Sequence, residues 1–483
     1  MRVSEILGLN VLQAELDFVD VNINRDMPLF LDPFVLSSRT DQWSIHASNT
    51  IRSFFHYFIN LVYAGDTEEA RQLFDYLHEP NETFLGLSKG RARGNGIGDG
   101  DAQRIFDSLV GSSAAQTGLL SDLEDCRIFV DGIDKDKISD MVTNIIRKLL
   151  LDYTEQQCRL WGVRMEENVP SGFYWNPAER QWESTLCNVL FLENRKVLLV
   201  PKAVVSYSKN HTPQEFHQHF VLNFLQHEHL RMRSTLVQQT IKRGRVVREY
   251  VTKKSLVRRG GAAFGKEFLT TFTNAHPEVF RQFRQAPRTK SRSLPIHDFS
   301  NFDVRGVAQY LQEKLRGVAV GRDNATAFHR IAVSILDFVL YPRLTNPIIE
   351  QEIHEGRKRV DLTFDNGAAD GFFLRLPNQA QLPCPFIFVE CKNYGHEIGN
   401  PEVDQLSGRF SFNRGRVGLL VCRNLQNPEL LIQRCRDTHR DGRGLILPLI
   451  DDDLLAALRE RIDNVEFPLE QRLQHLYAQI ALR

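Results

Sequence analysis

Apolar residues recurring every three to four positions predict helices over residues 4–14, 48–64, 67–78 and 136–157, with Asp66, Thr67 and Asp136 placed to cap helix starts. Phe54, Phe55 and Phe58 lie at helical spacing in the second of these and are read as core. Residues 196–208 (KVLLVPKAVVSYS) read as one or two strands around Pro201, with a helix starting after Thr212 and Pro213. A helical stretch over 324–341 is followed by a change of period. Strands over 347–353 (PIIEQEI) and 359–364 (RVDLTF) flank a turn at 354–358, which predicts a hairpin. Further strands are predicted at 371–376 and 385–389; the second, PFIFV, is apolar throughout, as a strand buried on both faces must be. A polar helix from Asn400 and Pro401, a strand at 417–422, a helix at 428–438, a strand at 444–450 and a helix at 451–461 complete the series. A hairpin followed by alternating strands and helices defines an α/β class: a C-terminal mixed sheet flanked by helices, preceded by a mainly helical α+β region.

Pro287, Pro295 and clustered Ser, Thr, Arg and Lys over 284–300 mark the best domain boundary, and residues 169–172 a weaker one. The chain thus divides into a helix-rich part (1–165), an α+β basic part (166–290) and a C-terminal domain (300–483). At 483 residues it is long for one domain, which supports such a division.

Charge changes the picture only when mapped. Sixty Lys and Arg balance sixty Asp and Glu, which excludes a bulk polycation. Yet Arg231, Arg233, Lys242, Arg243, Arg245, Arg248, Lys253, Lys254, Arg258 and Arg259 face Glu249 alone over 231–259, while residues 1–150 lean acidic. A basic middle of this kind fits a nucleic-acid backbone. The apolar stretch 331–340 is broken by Ser334 and Asp337 and falls short of the roughly 18 residues of a membrane span, so no membrane partner is expected. The start Met-Arg-Val-Ser-Glu lacks a secretory pattern, and the seven scattered cysteines include no C-x-x-C; a cytoplasmic protein is expected.

The candidate chemistry sits at the end of the apolar strand 385–389. Side chains alternate along a strand, so Glu390 and Lys392 project from one face and Cys391 from the other. If the 359–364 strand is its neighbour, Asp361 joins that face. Two carboxylates and an ammonium at a sheet edge suit Mg²⁺ or Mn²⁺ and hydrolytic phosphodiester chemistry, the lysine orienting or deprotonating the attacking water. Lys392 is the only lysine in the chain with an acid two positions before it.

Asp361 followed by Glu390-x-Lys392 resembles the signature of the PD-(D/E)xK nuclease superfamily, the restriction-endonuclease-like fold, over about residues 320–455. Gln405 stands where Mrr-type and Holliday-junction-resolvase-like members carry a helical Gln. The resemblance implies Asp361 and Glu390 as metal ligands with the Cys391 carbonyl as a third, Lys392 as water activator and Gln405 as an accessory catalytic group. A further acid is expected from Glu350, Glu352 or Asp337, the choice being open. Arg357, Lys358, Arg359, Arg409, Arg414 and Arg416 surround the site in sequence and are candidate phosphate contacts.

The implied activity is a metal-dependent endonuclease acting on DNA, in restriction or antiphage defence or in DNA repair. The alternatives are an RNA-cutting effector gated by the N-terminal region and a non-catalytic nucleic-acid-binding protein on a nuclease scaffold. Two-strand cleavage would favour a homodimer or a partner protein. Weaker signals are set aside. The glycine-rich stretch 86–100 lacks phosphate-loop spacing. His217/His219 and His227/His229 fall on different helix faces, and the acids Asp131, Asp134, Asp136 and Asp140 accompany a helix start.

Overall fold

The computed structural model describes residues 1–86, 99–207, 212–242, 245–285, 293–299, 303–353, 358–465 and 467–482, with residues 99–101, 242, 297, 350–353 and 358–361 described by backbone alone. Most of the glycine-rich stretch and the centre of the 284–300 boundary lie outside the described residues.

A five-stranded mixed sheet fills the C-terminal part: β1 (Leu344–Ile353), β2 (Lys358–Asn366), β3 (Phe386–Lys392), β4 (Val417–Cys422) and β5 (Leu445–Leu449), in that spatial order. β1 with β2 and β2 with β3 pair antiparallel, whereas β3, β4 and β5 are parallel. Every residue of β4 and β5 is buried, which explains their uninterrupted apolar sequences. Helices Asn400–Ser407 and Pro428–Arg440 make the crossovers, and Ala325–Leu340 packs on β1 and β3.

The expected strand at 371–376 is instead a helix, Gly371–Gln379. Phe372, Phe373 and Leu376 are its buried residues, a one-sided spacing that a short apolar run does not distinguish from a strand. The helix expected over 4–14 is also corrected. Val3–Ile6 ends at Gly8 and Asn10, both with left-handed backbone (φ 63° and 52°), and a short 3₁₀ turn, Gln13–Glu15, follows. The 136–157 helix divides at Ile146 into Lys135–Ile145 and Arg147–Trp161, and Asp134 rather than Asp136 caps the first, accepting from the Lys137 N–H at 3.1 Å.

The N-terminal part is mainly helical around Gln42–Ala64, whose Phe54, Phe55 and Phe58 are buried as expected. Phe54 packs edge-on against Trp175 and Trp182, and Phe58 against Phe74 and Phe106. Small antiparallel strands complete it: Glu166–Pro170, Leu186–Leu192 and Arg195–Val197 in one sheet, and Tyr174–Asn176 with Gln181–Glu183 in a hairpin.

One contiguous apolar core runs from Val3 to Ile480 and joins this part to the sheet. Buried polar links cross the same junction. Lys202, fully buried, places its ammonium 2.5 Å from Asp337 Oδ2 and donates to the Leu16 carbonyl at 2.6 Å. Tyr153 donates to Asp17 at 2.7 Å, and the Trp43 N–H donates to Asp365 of β2 at 3.1 Å.

Burial, with Asp41 adding repulsion, pushes Asp365 up to about 8. Between the ordinary carboxylate value of about 4 and that value, the folded chain holds a proton that the unfolded chain has released. Unfolding then releases the proton, so stability falls as pH rises through the window. Asp365→Asn is expected to flatten the decline of melting temperature between roughly pH 5 and 8. A decline as steep as the parent's would contradict this origin.

Candidate active site

β3 begins with apolar residues packed into the sheet and ends in Glu390, Cys391 and Lys392. Glu390 is 0% exposed although charged. Such a group is tolerated only when paired, and two cations supply the pairing. The Lys392 ammonium stands 2.7 Å from Oε1, and the Arg409 guanidinium holds Oε2 in a very close ion pair. Among the described residues Oε1 accepts no hydrogen bond of good geometry, and the Lys392 ammonium holds it by charge attraction.

Lys392 donates to Gln405 Oε1 at 3.2 Å, which gives the lysine two fixed neighbours on one side of the sheet. Gln405 reaches it because Asn400–Ser407 starts with Pro401 in its first turn and the Gly399 N–H donating to Glu402 at 2.9 Å, while Val403 and Leu406 bury the inner face. Beyond Lys392, the Asn393 amide donates to the carbonyls of Ala319 and Gly321 at 3.0 and 2.7 Å, which fixes the strand end.

Backbone register places the remaining acids. Ile349 pairs with Leu362 and Gln351 with Val360, so the rung between them joins Glu350 to Asp361. Leu362 pairs with Val389; continued by one residue, that register sets Asp361 opposite Glu390, which pairs with Leu420 on β4. Glu350 and Asp361 therefore share a rung of β1 and β2, and Glu390 lies one residue beyond the last β2–β3 pair, Leu362 with Val389, whereas Glu352 lies opposite Arg359, two residues further along. Among the described residues no group of three His, Cys, Asp or Glu could hold a metal ion, but the side chains of Glu350 and Asp361 are not among them.

Asp337, a candidate for the further acid, is corrected: it is 1% exposed and committed to Lys202, on a helix face turned toward the N-terminal part. Its carboxyl is pushed up to about 6, chiefly by burial. Arg409, expected among exposed phosphate contacts, is also corrected, because it is buried against Glu390. No local sequence signal reports that pairing, which spans 19 positions. Arg414 donates to Ser411 at 3.3 Å, and Arg416 donates to the Gly442 carbonyl. Arg357 lies outside the described residues, and Lys358 and Arg359 are placed by backbone at the start of β2. Cys391 sits between Glu390 and Lys392, paired in register with Val421.

The residues fit a hard divalent cation in donor chemistry, since a buried carboxylate oxygen without a hydrogen bond is the oxygen ligand such an ion prefers. Arg409 takes Oε2 and the Lys392 ammonium faces Oε1 at 2.7 Å, so an ion bound at Oε1 would share that oxygen with the lysine.

Residues 8–212 match the family model of a domain of unknown function, DUF8370, a match that ends before the five-stranded sheet begins. No curated protein and no solved structure matches the chain. Among the described residues no helix is long and apolar enough to cross a membrane.

Proposed function

We propose that the chain is a metal-dependent endonuclease that hydrolyses DNA phosphodiester bonds at the end of β3, within a restriction-endonuclease-like domain. The observation that carries the reading is Glu390, fully buried at a strand end and held by Lys392, which Gln405 fixes in turn. The shared rung of Glu350 and Asp361 supports it, because residues opposite one another on a rung lie on the same face of a sheet.

In this reading Glu390, Asp361 and the Cys391 carbonyl would hold Mg²⁺ or Mn²⁺, with Glu350 as the further acid. Such an ion, when bound, supplies charge to a phosphate oxygen and acidity to a water molecule. Lys392 orients the water for in-line attack and offsets the negative charge that develops on the phosphate. Gln405 holds the lysine in position. Arg409 holds the Glu390 carboxylate in its orientation. Water adds to phosphorus as the bond to the leaving oxygen breaks, and that oxygen takes up a proton. Restriction or antiphage defence is the proposed setting, with DNA repair next, by analogy of organisation.

A second reading has one observation behind it. Both oxygens of Glu390 already face cations, which suits a purely structural ion pair on a non-catalytic scaffold. Incubation with linear, circular, branched and single-stranded DNA and with RNA, each with Mg²⁺, Mn²⁺ or EDTA, separates the readings. DNA cleavage that needs metal is expected. Cleavage of RNA alone would point to an RNA-cutting effector, and no cleavage of any substrate would leave the scaffold reading.

A further inference from the structure

The basic stretch 231–259 folds into an exposed two-stranded ribbon, Gln238–Lys242 paired with Arg245–Tyr250. Two-stranded ribbons are marginal in water unless something covers a face. This one is covered on neither: Gln238, Gln239 and residues 245–249 are exposed, with Ile241, Val246 and Val247 at 61%, 50% and 60%. Its base alone is anchored, by a small separate core of Leu222, Val251, Leu256 and Ala262.

The register sorts its chemistry. Gln238 pairs with Tyr250, Thr240 with Arg248 and Lys242 with Arg245, and a bulge between Thr240 and Ile241 keeps these positions on one face. The opposite face carries Gln239, Glu249, Ile241 and Val246, with Gln239 donating to Glu249 at 2.8 Å. Among the described residues that first face therefore carries hydrogen-bond donors and cations, and Glu249, on the opposite face, is bound to Gln239. Among the described residues Arg245 and Arg248 have no ion-pair partner, nor do Lys254, Arg258 and Arg259 on the adjoining helix Lys253–Arg259.

We infer that this ribbon grips duplex DNA, its donor face laid into the major groove and the adjoining cations set against phosphates. A major groove admits a two-stranded ribbon, Arg, Lys and Gln are the side chains that pair with base edges there, and phosphates take the remaining cations. The inference rests on the nuclease reading for the identity of its ligand, but its test reads binding and not cleavage.

Fluorescence anisotropy of the full chain in EDTA, against a labelled duplex and the same sequence as a single strand, decides it. Arg245→Glu with Arg248→Glu is expected to weaken duplex binding about 30-fold or more. Ile241→Ser with Val246→Ser, on the other face, is expected to change it less than about threefold. Unchanged duplex binding in the arginine variant overturns the inference. So does equal affinity for single strand and duplex, or a larger loss in the Ile241/Val246 variant, which would place the DNA contact on the apolar face. Ribbon-dependent binding by a chain that cuts nothing would sustain this inference while defeating the nuclease reading.

Discussion

Lys392→Ala is expected to lower metal-dependent DNA cleavage by about 10³-fold, within the range for loss of a group that handles a proton or charge at the reacting centre. The expectation follows from the position of the ammonium, 2.7 Å from Glu390 Oε1 and 3.2 Å from Gln405. Because the side chain is 12% exposed and Arg409 still neutralises Glu390, the variant should fold, with a melting temperature within a few degrees of the parent's. Gln405→Ala, which frees the lysine without removing it, is expected to cost about tenfold. If the two variants lost activity equally, Gln405 would be handling substrate directly. If neither lost any, the chemistry would lie elsewhere.

The largest effect on stability is expected from Lys202→Met. The lysine is fully buried, contacts Asp337 at 2.5 Å and the Leu16 carbonyl at 2.6 Å, and lies over the Tyr341 ring. Removing it strands Asp337, with Asp17 adding like charge, at a cost of about 3–5 kcal/mol. Both acids already stand above the ordinary carboxylate range through burial, and losing the lysine raises them further. The stranded groups take up protons more readily at low pH, so the penalty should be larger at about pH 8 than at about pH 5. Lys202→Met with Asp337→Leu removes both charges and is expected to recover most of the loss. Denaturant midpoints of the parent, single and double variants at the two pH values check this. A double variant no more stable than Lys202→Met would contradict the account.

What was legible in the sequence follows the range of the interactions. β4 and β5 were visible because a strand buried on both faces must be apolar throughout, and the helix at 400 because Pro401 marks a first turn. Glu390, Lys392 and Gln405 were legible because a strand's two-residue period and one short crossover bring them together. The start of helix 371–379 reads as a strand because six residues cannot separate the two periods. The partners of Glu390 and Asp337 were hidden for another reason: Arg409 is 19 positions from its acid and Lys202 is 135 from its own, so only the packed fold pairs them. The placement of Glu350 rather than Glu352 on the rung of Asp361 likewise needed the β1–β2 register, which the hairpin sequence leaves free to slip by a residue.

Phosphodiester hydrolysis is expected at the Glu390 end of β3. The most direct test compares parent and Glu390→Gln on duplex DNA with Mg²⁺, measuring cleavage beside circular dichroism. Glu390→Gln keeps the shape and removes the charge that holds Lys392, Arg409 and any metal ion. Metal-dependent cleavage by the parent and its loss in a folded Glu390→Gln chain is the predicted result; equal cleavage by both would contradict the account.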